Sequence, residues 1–137
     1  MLRVKLRHLE DWTEARRRAA ARYDGLLAGS GVPTPVARAS VRHVYHIYAV
    51  RTPNRPAWQE ALGAQGIQTA IHYPTPVHLL PAFADLGYRR NQFPHAERAA
   101  REVLSLPMFA ELTPQQGEAV GRAVCELARD IPDSAVG

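Results

Sequence analysis

The chain has 137 residues, of which 46% are hydrophobic and 22% are charged, which is the size and composition of one globular domain. Its net charge is +4, but acidic residues are interleaved with the arginines and Lys5 is the only lysine, so no one-sided basic stripe indicates nucleic-acid binding. No run of 18 apolar residues, no secretory signal and only one cysteine, Cys125, are present, so we expect a cytoplasmic protein without a membrane span or an internal disulfide.

The first predicted element is one long helix over residues 2–27. Gly29 and Gly31 supply its end. No Ser, Thr, Asp or Asn precedes the pattern as an N-cap, which suggests that the chain starts inside an element. The alternative is that Met1 simply frays in solvent. The apolar residues recur at steps of three and four, as expected for an amphipathic helix: Leu2, Leu6, Leu9, Trp12, Ala19, Tyr23 and Leu26.

Two strands are predicted in the middle of the chain. Residues 43–51 are rich in β-branched and aromatic side chains, and residues 67–73 form the second predicted strand. A helix over about residues 56–65 lies between them, and Asn54 can act as its cap.

Helical patterns dominate the rest of the chain. Residues 81–86 and 94–103 are predicted as helices, and residues 104–107 as a short extended piece. A closing helix is expected to start after Thr113, which precedes a proline and, three residues on, a glutamine, and to last to about Arg129. The predicted architecture is α+β, with a small sheet covered by helices and preceded by one long helix.

Six histidines are the candidate metal ligands or acid–base groups. On a strand, His43 and His46 would point to opposite faces, and no third ligand accompanies His72 and His78, so no metal site is predicted. There is also no phosphate-binding glycine loop and no nucleophile in a glycine-rich elbow. The six histidines are His8, His43, His46, His72, His78 and His95.

The stretch IHYPTPVH, residues 71–78, is the strongest polar candidate. Pro74 and Pro76 fix the backbone and remove hydrogen-bond donors, which predicts a rigid, mostly extended exit from a strand. Because successive strand residues point to opposite faces, one of His72 and Tyr73 could be buried while the other reaches a cleft. A histidine satisfied within the core is the competing interpretation.

Four segments of the chain are informative when they are taken together and in order: LRVKLRHLEDWTEARRRAAARYDGLL, HVYHIYAVR, ALGAQGIQTAIHYPTPVHLLPAFADLGY and FPHAERAAREVLSLPMFAELTPQQGEAV. They resemble the C-terminal part of the DegT/DnrJ/StrS aminotransferases. The resemblance runs over residues 2–120 and on to about Arg129. It implies the small C-terminal domain of a fold-type I transferase that depends on pyridoxal phosphate, with a long inter-domain helix (1–30), the small domain (31–129) and a frayed tail (130–137).

The resemblance implies an enzyme that transfers an amino group to a keto-sugar linked to a nucleotide. A large N-terminal domain, in cis or in trans, would supply the pyridoxal phosphate pocket and the Schiff-base lysine. Lys5 lies far from the family's catalytic lysine in sequence order, so the chain alone is expected to be inactive, with no catalytic or cofactor-binding residue of its own. The complete enzyme is expected to be a homo-oligomer. A relative that runs dehydration on the same cofactor stays open.

By the same resemblance, the IHYP turn faces the active-site cleft. His72 and Tyr73 are then implied as contacts to sugar hydroxyls or diphosphate oxygens, with His78 as a further candidate. His46 is expected to have a structural role, and residues 105–108 are expected to pack in the core.

Two other functions remain open from the residues. One is a binding or regulatory module that kept the nucleotide-sugar contacts without catalysis, and the less favoured one is a basic nucleic-acid-binding protein. If the chain is a small domain, the apolar face of its opening helix should be exposed when it is alone, which predicts self-association.

Overall fold

The computed structural model describes residues 2–130, and the predicted tail from residue 131 onward lies outside them. The fold is a small α+β arrangement, as predicted. The 3-10 helices Val77–Leu79 and Pro81–Leu86 lie between α3 and α4. The elements are α1 (Leu2–Leu6), α2 (Leu9–Leu27), β1 (Tyr48–Arg51), α3 (Arg55–Ala64), α4 (Pro94–Glu102), β2 (Val103–Leu106) and α5 (Pro114–Asp130).

The described part of the chain has a two-stranded sheet in which β1 and β2 run antiparallel. Tyr48 lies opposite Leu106, and Arg51 lies opposite Val103. Side chains of this sheet pack against α2, α3 and α5 in one core. None of the described helices has the length and apolar character that crossing a membrane requires.

The first predicted strand is shorter than expected because side chains of α2 satisfy its N-terminal half. Arg16 Nε donates to the carbonyl of Val44 (3.0 Å), and Arg17 donates to that of His43 (2.9 Å). Tyr45 has a positive φ of 44°, and its N–H donates to the Nδ1 of His43 (3.0 Å). Because these backbone groups are bonded to side chains, they do not pair with a neighbouring strand, and strand pairing begins only at β1.

The second predicted strand is reduced to a single bridge. The N–H of Ala70 donates to the carbonyl of Ser105 (3.1 Å), and the N–H of Ser105 donates to that of Ala70 (2.8 Å). Upstream, the N–H of Ile67 already donates to the carbonyl of Leu62 (2.9 Å) at the end of α3. Downstream, Pro74 has no N–H to donate.

The opening helix is broken into α1 and α2, contrary to the single helix predicted. At the break, the N–H groups of Arg7 and His8 donate to the carbonyls of Val4 and Lys5, three residues back. The apolar face expected to be exposed was that of Leu2, Leu6, Leu9 and Trp12. The three leucines are exposed, as is Val4, but Trp12 is half-buried.

Local cap predictions had different outcomes. At α5 the capping box is confirmed: Gln116 N–H donates to Thr113 Oγ1 (3.2 Å), and Thr113 N–H donates to Gln116 Oε1 (3.0 Å). At α3, Asn54 occupies the N-cap position, but its side chain makes no cap bond. The predicted helix over residues 81–86 is a 3-10 helix.

The core joins α2 to α5 and to the sheet. Tyr23 of α2 and Tyr48 of β1 are fully buried with ring centroids 4.9 Å apart. The Tyr23 hydroxyl donates to the carbonyl of Pro107 (2.9 Å), and burial raises the pKa of Tyr23 above its ordinary value. Cys125 of α5 is half-buried, and its thiol donates to the carbonyl of Leu26 (3.3 Å). Thus α2 is part of the same packed body as the sheet.

Candidate functional site

The IHYP turn lines an open groove of about 610 Å³. Its other walls include the two 3-10 helices and the side of α4 that carries Ala96, Ala99 and Ala100. We call this surface the aromatic groove. Among the residues that line it are His72, Tyr73, His78, Phe83, Tyr88 and Phe93.

His72 and Tyr73 both reach the aromatic groove. The expectation that one of them would be buried is wrong: His72 is exposed, and 71% of Tyr73 is exposed. Their rings meet edge to face, with centroids 5.5 Å apart. The turn leaves the sheet after the one-residue bridge, so strand alternation does not govern these two side chains.

The imidazole of His72 also contacts the sheet. Its Nδ1 lies 2.9 Å from the Oγ of Ser105 in β2. Both residues also line a second cavity of about 300 Å³, together with His46 among others. The expectation that residues 105–108 pack in the core holds for Ser105 and Leu106, which are both buried, but it missed the polar contact that Ser105 makes.

His78 lies on the wall of the aromatic groove that the 3-10 helix Val77–Leu79 forms. Its side chain is only 8% exposed, and its Nε2 is 3.2 Å from Oε1 of Glu97. The ring also packs on Phe93, with centroids 4.7 Å apart. The structure therefore brings His78 to the same groove as His72 and Tyr73, but with one ring nitrogen already bonded within the wall.

Glu97 is the centre of that wall and was not predicted from the sequence. It is only 6% exposed, and its Oε1 accepts bonds from the N–H groups of Asn91 (2.7 Å) and Phe93 (3.4 Å) as well as contacting His78. Burial alone would raise its pKa, but these bonds outweigh burial and hold the pKa of Glu97 below its ordinary value. An acid in the first turn of a helix was the available signal.

The lowered pKa of Glu97 predicts an acid sensitivity. Because the folded pKa is below the unfolded one, its stabilisation is full above the ordinary glutamate value of 4.5 and is lost as pH falls through the folded value. Glu97→Gln should therefore be less stable near neutral pH and should lose less stability than the wild type on acidification. Urea unfolding from about pH 7 to about pH 3 measures this.

The matched control for that experiment is Glu118→Gln, at an exposed position of α5. It should follow the wild-type curve. If Glu97→Gln also followed the wild type at every pH, the wall would not depend on this carboxylate.

Across residues 2–130, no group of three or more His, Cys, Asp or Glu side chains could hold a metal ion. His43 and His46 both precede β1, so the alternation of side chains along a strand does not determine where they point.

Comparison with known proteins identifies the family. A family model, that of the DegT/DnrJ/EryC1/StrS aminotransferases, matches residues 1–125. The chain belongs to this aminotransferase family. The resemblance inferred from the four sequence segments is confirmed.

Three relatives of this DegT-family chain illustrate the match. It is 47% identical over 132 residues to a pleiotropic regulatory protein of Geobacillus stearothermophilus, covering 94% of the chain and 36% of that protein. It is 41% identical to a dTDP-3-amino-3,4,6-trideoxy-alpha-D-glucose transaminase of Streptomyces venezuelae, covering 96% and 35%. The crystal structure of S. venezuelae DesV in complex with a ketimine intermediate superposes with a TM-score of 0.88 at 40% identity, covering 99% of this chain and 36% of that one. The DegT-family chain thus spans about a third of the length of these relatives.

The family cofactor is pyridoxal phosphate, which such enzymes hold through a lysine amine. Lys5 is the only lysine in the sequence, and it is exposed on α1, which contributes nothing to the walls of the aromatic groove. The described residues of this DegT-family chain therefore do not fit a covalently held pyridoxal phosphate. The groove offers imidazole and phenol groups beside aromatic walls, which suit hydrogen bonding and stacking to a ligand.

Proposed function

We propose that this chain is the C-terminal small domain of a pyridoxal-phosphate-dependent aminotransferase that acts on nucleotide-linked keto-sugars. Residues 31–129 would form the small domain, and residues 1–30 would lead to the large one. Relatives described as transaminases of dTDP- and UDP-linked sugars support the substrate class. The observation that carries the proposal is the pairing of an exposed His72 and Tyr73 in one groove of a DegT-family chain. The cytoplasm is the proposed location.

Activity is proposed to require a large domain, in cis or in trans, that supplies the lysine and the pyridoxal phosphate pocket. The chain alone would be inactive. Support comes from Lys5, which lies on α1 away from the aromatic groove, and from the match, which spans only about a third of each relative's length. The exposed apolar side chains of Leu2, Val4 and Leu6 would then be covered in a homo-oligomeric assembly.

His72 and Tyr73 are proposed as contacts to sugar hydroxyls or diphosphate oxygens of the substrate. The imidazole and the phenol can each donate or accept a hydrogen bond. His78 is proposed mainly to hold the wall through Glu97, since its Nε2 is already bonded there. Pro74 and Pro76 stiffen the turn between these histidines, which lowers the cost of ordering it on binding.

Addition of one equivalent of pyridoxal phosphate, followed by borohydride reduction and measurement of intact mass, tests the need for a large domain. The chain alone should show no stable absorbance band and no stoichiometric mass gain. Lys5→Arg is the matched control, because it leaves only the N-terminal amine to react. A stoichiometric label that disappears in Lys5→Arg would contradict the proposal, because the chain would then build its own cofactor site.

A second candidate function is a nucleotide-sugar-binding regulator without catalysis. It is favoured by two relatives whose descriptions are regulatory: the pleiotropic regulatory protein, and a sensory transduction protein of erythromycin biosynthesis from Saccharopolyspora erythraea, 44% identical over 121 residues. Binding of a nucleotide sugar that persists without amino transfer when a large domain is supplied would support this candidate over the first.

A further inference from the structure

We propose that Ser105 is a positioning residue that holds the imidazole of His72 in one tautomer and one orientation, with Nε2–H available to the substrate. The inference rests on the proposed function, in which His72 contacts the nucleotide sugar. It assigns Ser105 a role beyond the core packing expected from the sequence.

The burial of Ser105 is the first observation. Ser105 is only 4% exposed and stands in β2 between Leu104 and Leu106, which are both buried. A hydroxyl removed from water in such surroundings is destabilising unless it is hydrogen-bonded. Among the residues that the structure describes, the Ser105 hydroxyl has one partner, the Nδ1 of His72 at 2.9 Å.

The chemistry of that pair sets the tautomer. A serine hydroxyl can donate or accept, but if Ser105 accepted from Nδ1–H, its own buried proton would have no acceptor among the described residues. We therefore assign Ser105 as the donor to an unprotonated Nδ1. Donation from Ser105 to Nδ1 leaves the imidazole proton of His72 on Nε2. An Nε2–H group is a donor, and it suits a phosphate or hydroxyl oxygen, whereas a bare Nε2 would repel the lone pairs of a phosphate oxygen.

The backbone makes the pair rigid. Ser105 faces Ala49 across the sheet and also exchanges two hydrogen bonds with Ala70, at 2.8 and 3.1 Å. Ala70 is only two residues before His72, so both ends of the contact are attached to the same bridge. An exposed imidazole that would otherwise sample several rotamers is thereby ordered before the ligand arrives.

The test is a long-range proton–nitrogen NMR spectrum of the 137-residue chain with ¹⁵N-labelled histidine, with the His72 signals assigned from His72→Ala. The wild type should show Nδ1 unprotonated and Nε2 protonated when the ring is neutral. Ser105→Ala should give a mixture of tautomers, Ser105→Thr should restore the wild-type pattern, and Ser30→Ala should leave it unchanged. Ser30 is the matched control because its hydroxyl also makes a single donated bond, to the carbonyl of Leu27.

A wild-type ring protonated on Nδ1, or a Ser105→Ala spectrum equal to the wild type, would overturn the inference. The first of these outcomes needs no variant, so a poorly folded Ser105→Ala cannot obscure it. Thermal unfolding of each variant shows which spectra come from folded chains.

Titration with dTDP-glucose separates this inference from the proposed function. Ser105→Ala should weaken binding about 2- to 10-fold, and it should add nothing further in a His72→Ala background. An equal loss in both backgrounds would contradict the positioning role. The expected tautomer with no binding by the wild type would instead contradict the assignment of His72 to the substrate.

Discussion

Alanine at Gly121 is expected to leave the domain less stable than alanine at Gly117, by about 1–3 kcal/mol of unfolding free energy. Both glycines are buried in α5 where it crosses α2. A Cβ on Gly121 would lie 2.6 Å from Cδ1 and 3.0 Å from Cβ of Leu26, closer than carbon atoms pack. Leu26 would have to change rotamer, and its Cβ, which is fixed to the backbone of α2, would have to move away by a few tenths of an ångström.

Gly117→Ala is the control because it makes the same change one turn earlier. Its new Cβ would meet the Cδ of Arg22 at 3.6 Å, an ordinary contact. Both variants gain up to about 1 kcal/mol of helix propensity, so the difference between them reports the helix contact. Urea unfolding measures it, and equal midpoints would show that α5 does not approach α2 as closely as described.

Replacing His72 by alanine is expected to weaken nucleotide-sugar binding by about 10- to 100-fold. A hydrogen bond to a charged group contributes about 1.5–3 kcal/mol, and His72→Ala removes such a donor from the aromatic groove. We expect the effect to be local because His72 is an exposed residue that lines the aromatic groove. Isothermal titration with a dTDP-sugar gives the affinity directly.

His95→Ala is the matched control for that measurement. His95 is also exposed, but it lies on α4 outside the lining of the aromatic groove. Its replacement should leave the affinity unchanged. If both variants bound as the wild type does, the IHYP turn would have no part in substrate recognition.

Elements set by local chemistry were predictable from the sequence. The capping box of Thr113 and Gln116 lies within four residues, so its signal is complete in the sequence, and α5 begins where it indicates. The prediction of a strand from residue 43 was wrong, because the side chains that bond its first carbonyls come from a distant part of the sequence. Arg16 and Arg17 lie 28 and 26 residues before the carbonyls they bind, and nothing in residues 43–47 alone indicates these contacts.

In the candidate site too, features within a short stretch of sequence were predictable, and contacts between distant residues were not. The turn with His72, Tyr73 and His78 could be found because prolines and aromatic polar groups crowd into eight residues. The residues that hold it could not, since Ser105 is 33 positions from His72 and Glu97 is 19 from His78. A serine between buried leucines and an acid in a helix's first turn become informative only when the fold brings them to their partners.

The packing of α2 on α5 sets the order in which this domain can fold during synthesis. The thiol of Cys125 donates to the carbonyl of Leu26, 99 residues earlier in the sequence. The hydroxyl of Tyr23 donates to the carbonyl of Pro107, 84 residues later. Contacts between residues so far apart in sequence slow folding, because a long loop must close before they contribute to stability. While the ribosome is still making α5, α2 can pack on the sheet, but the part of its buried face that contacts α5 has no partner. Completion of the core must therefore wait until α5 has emerged.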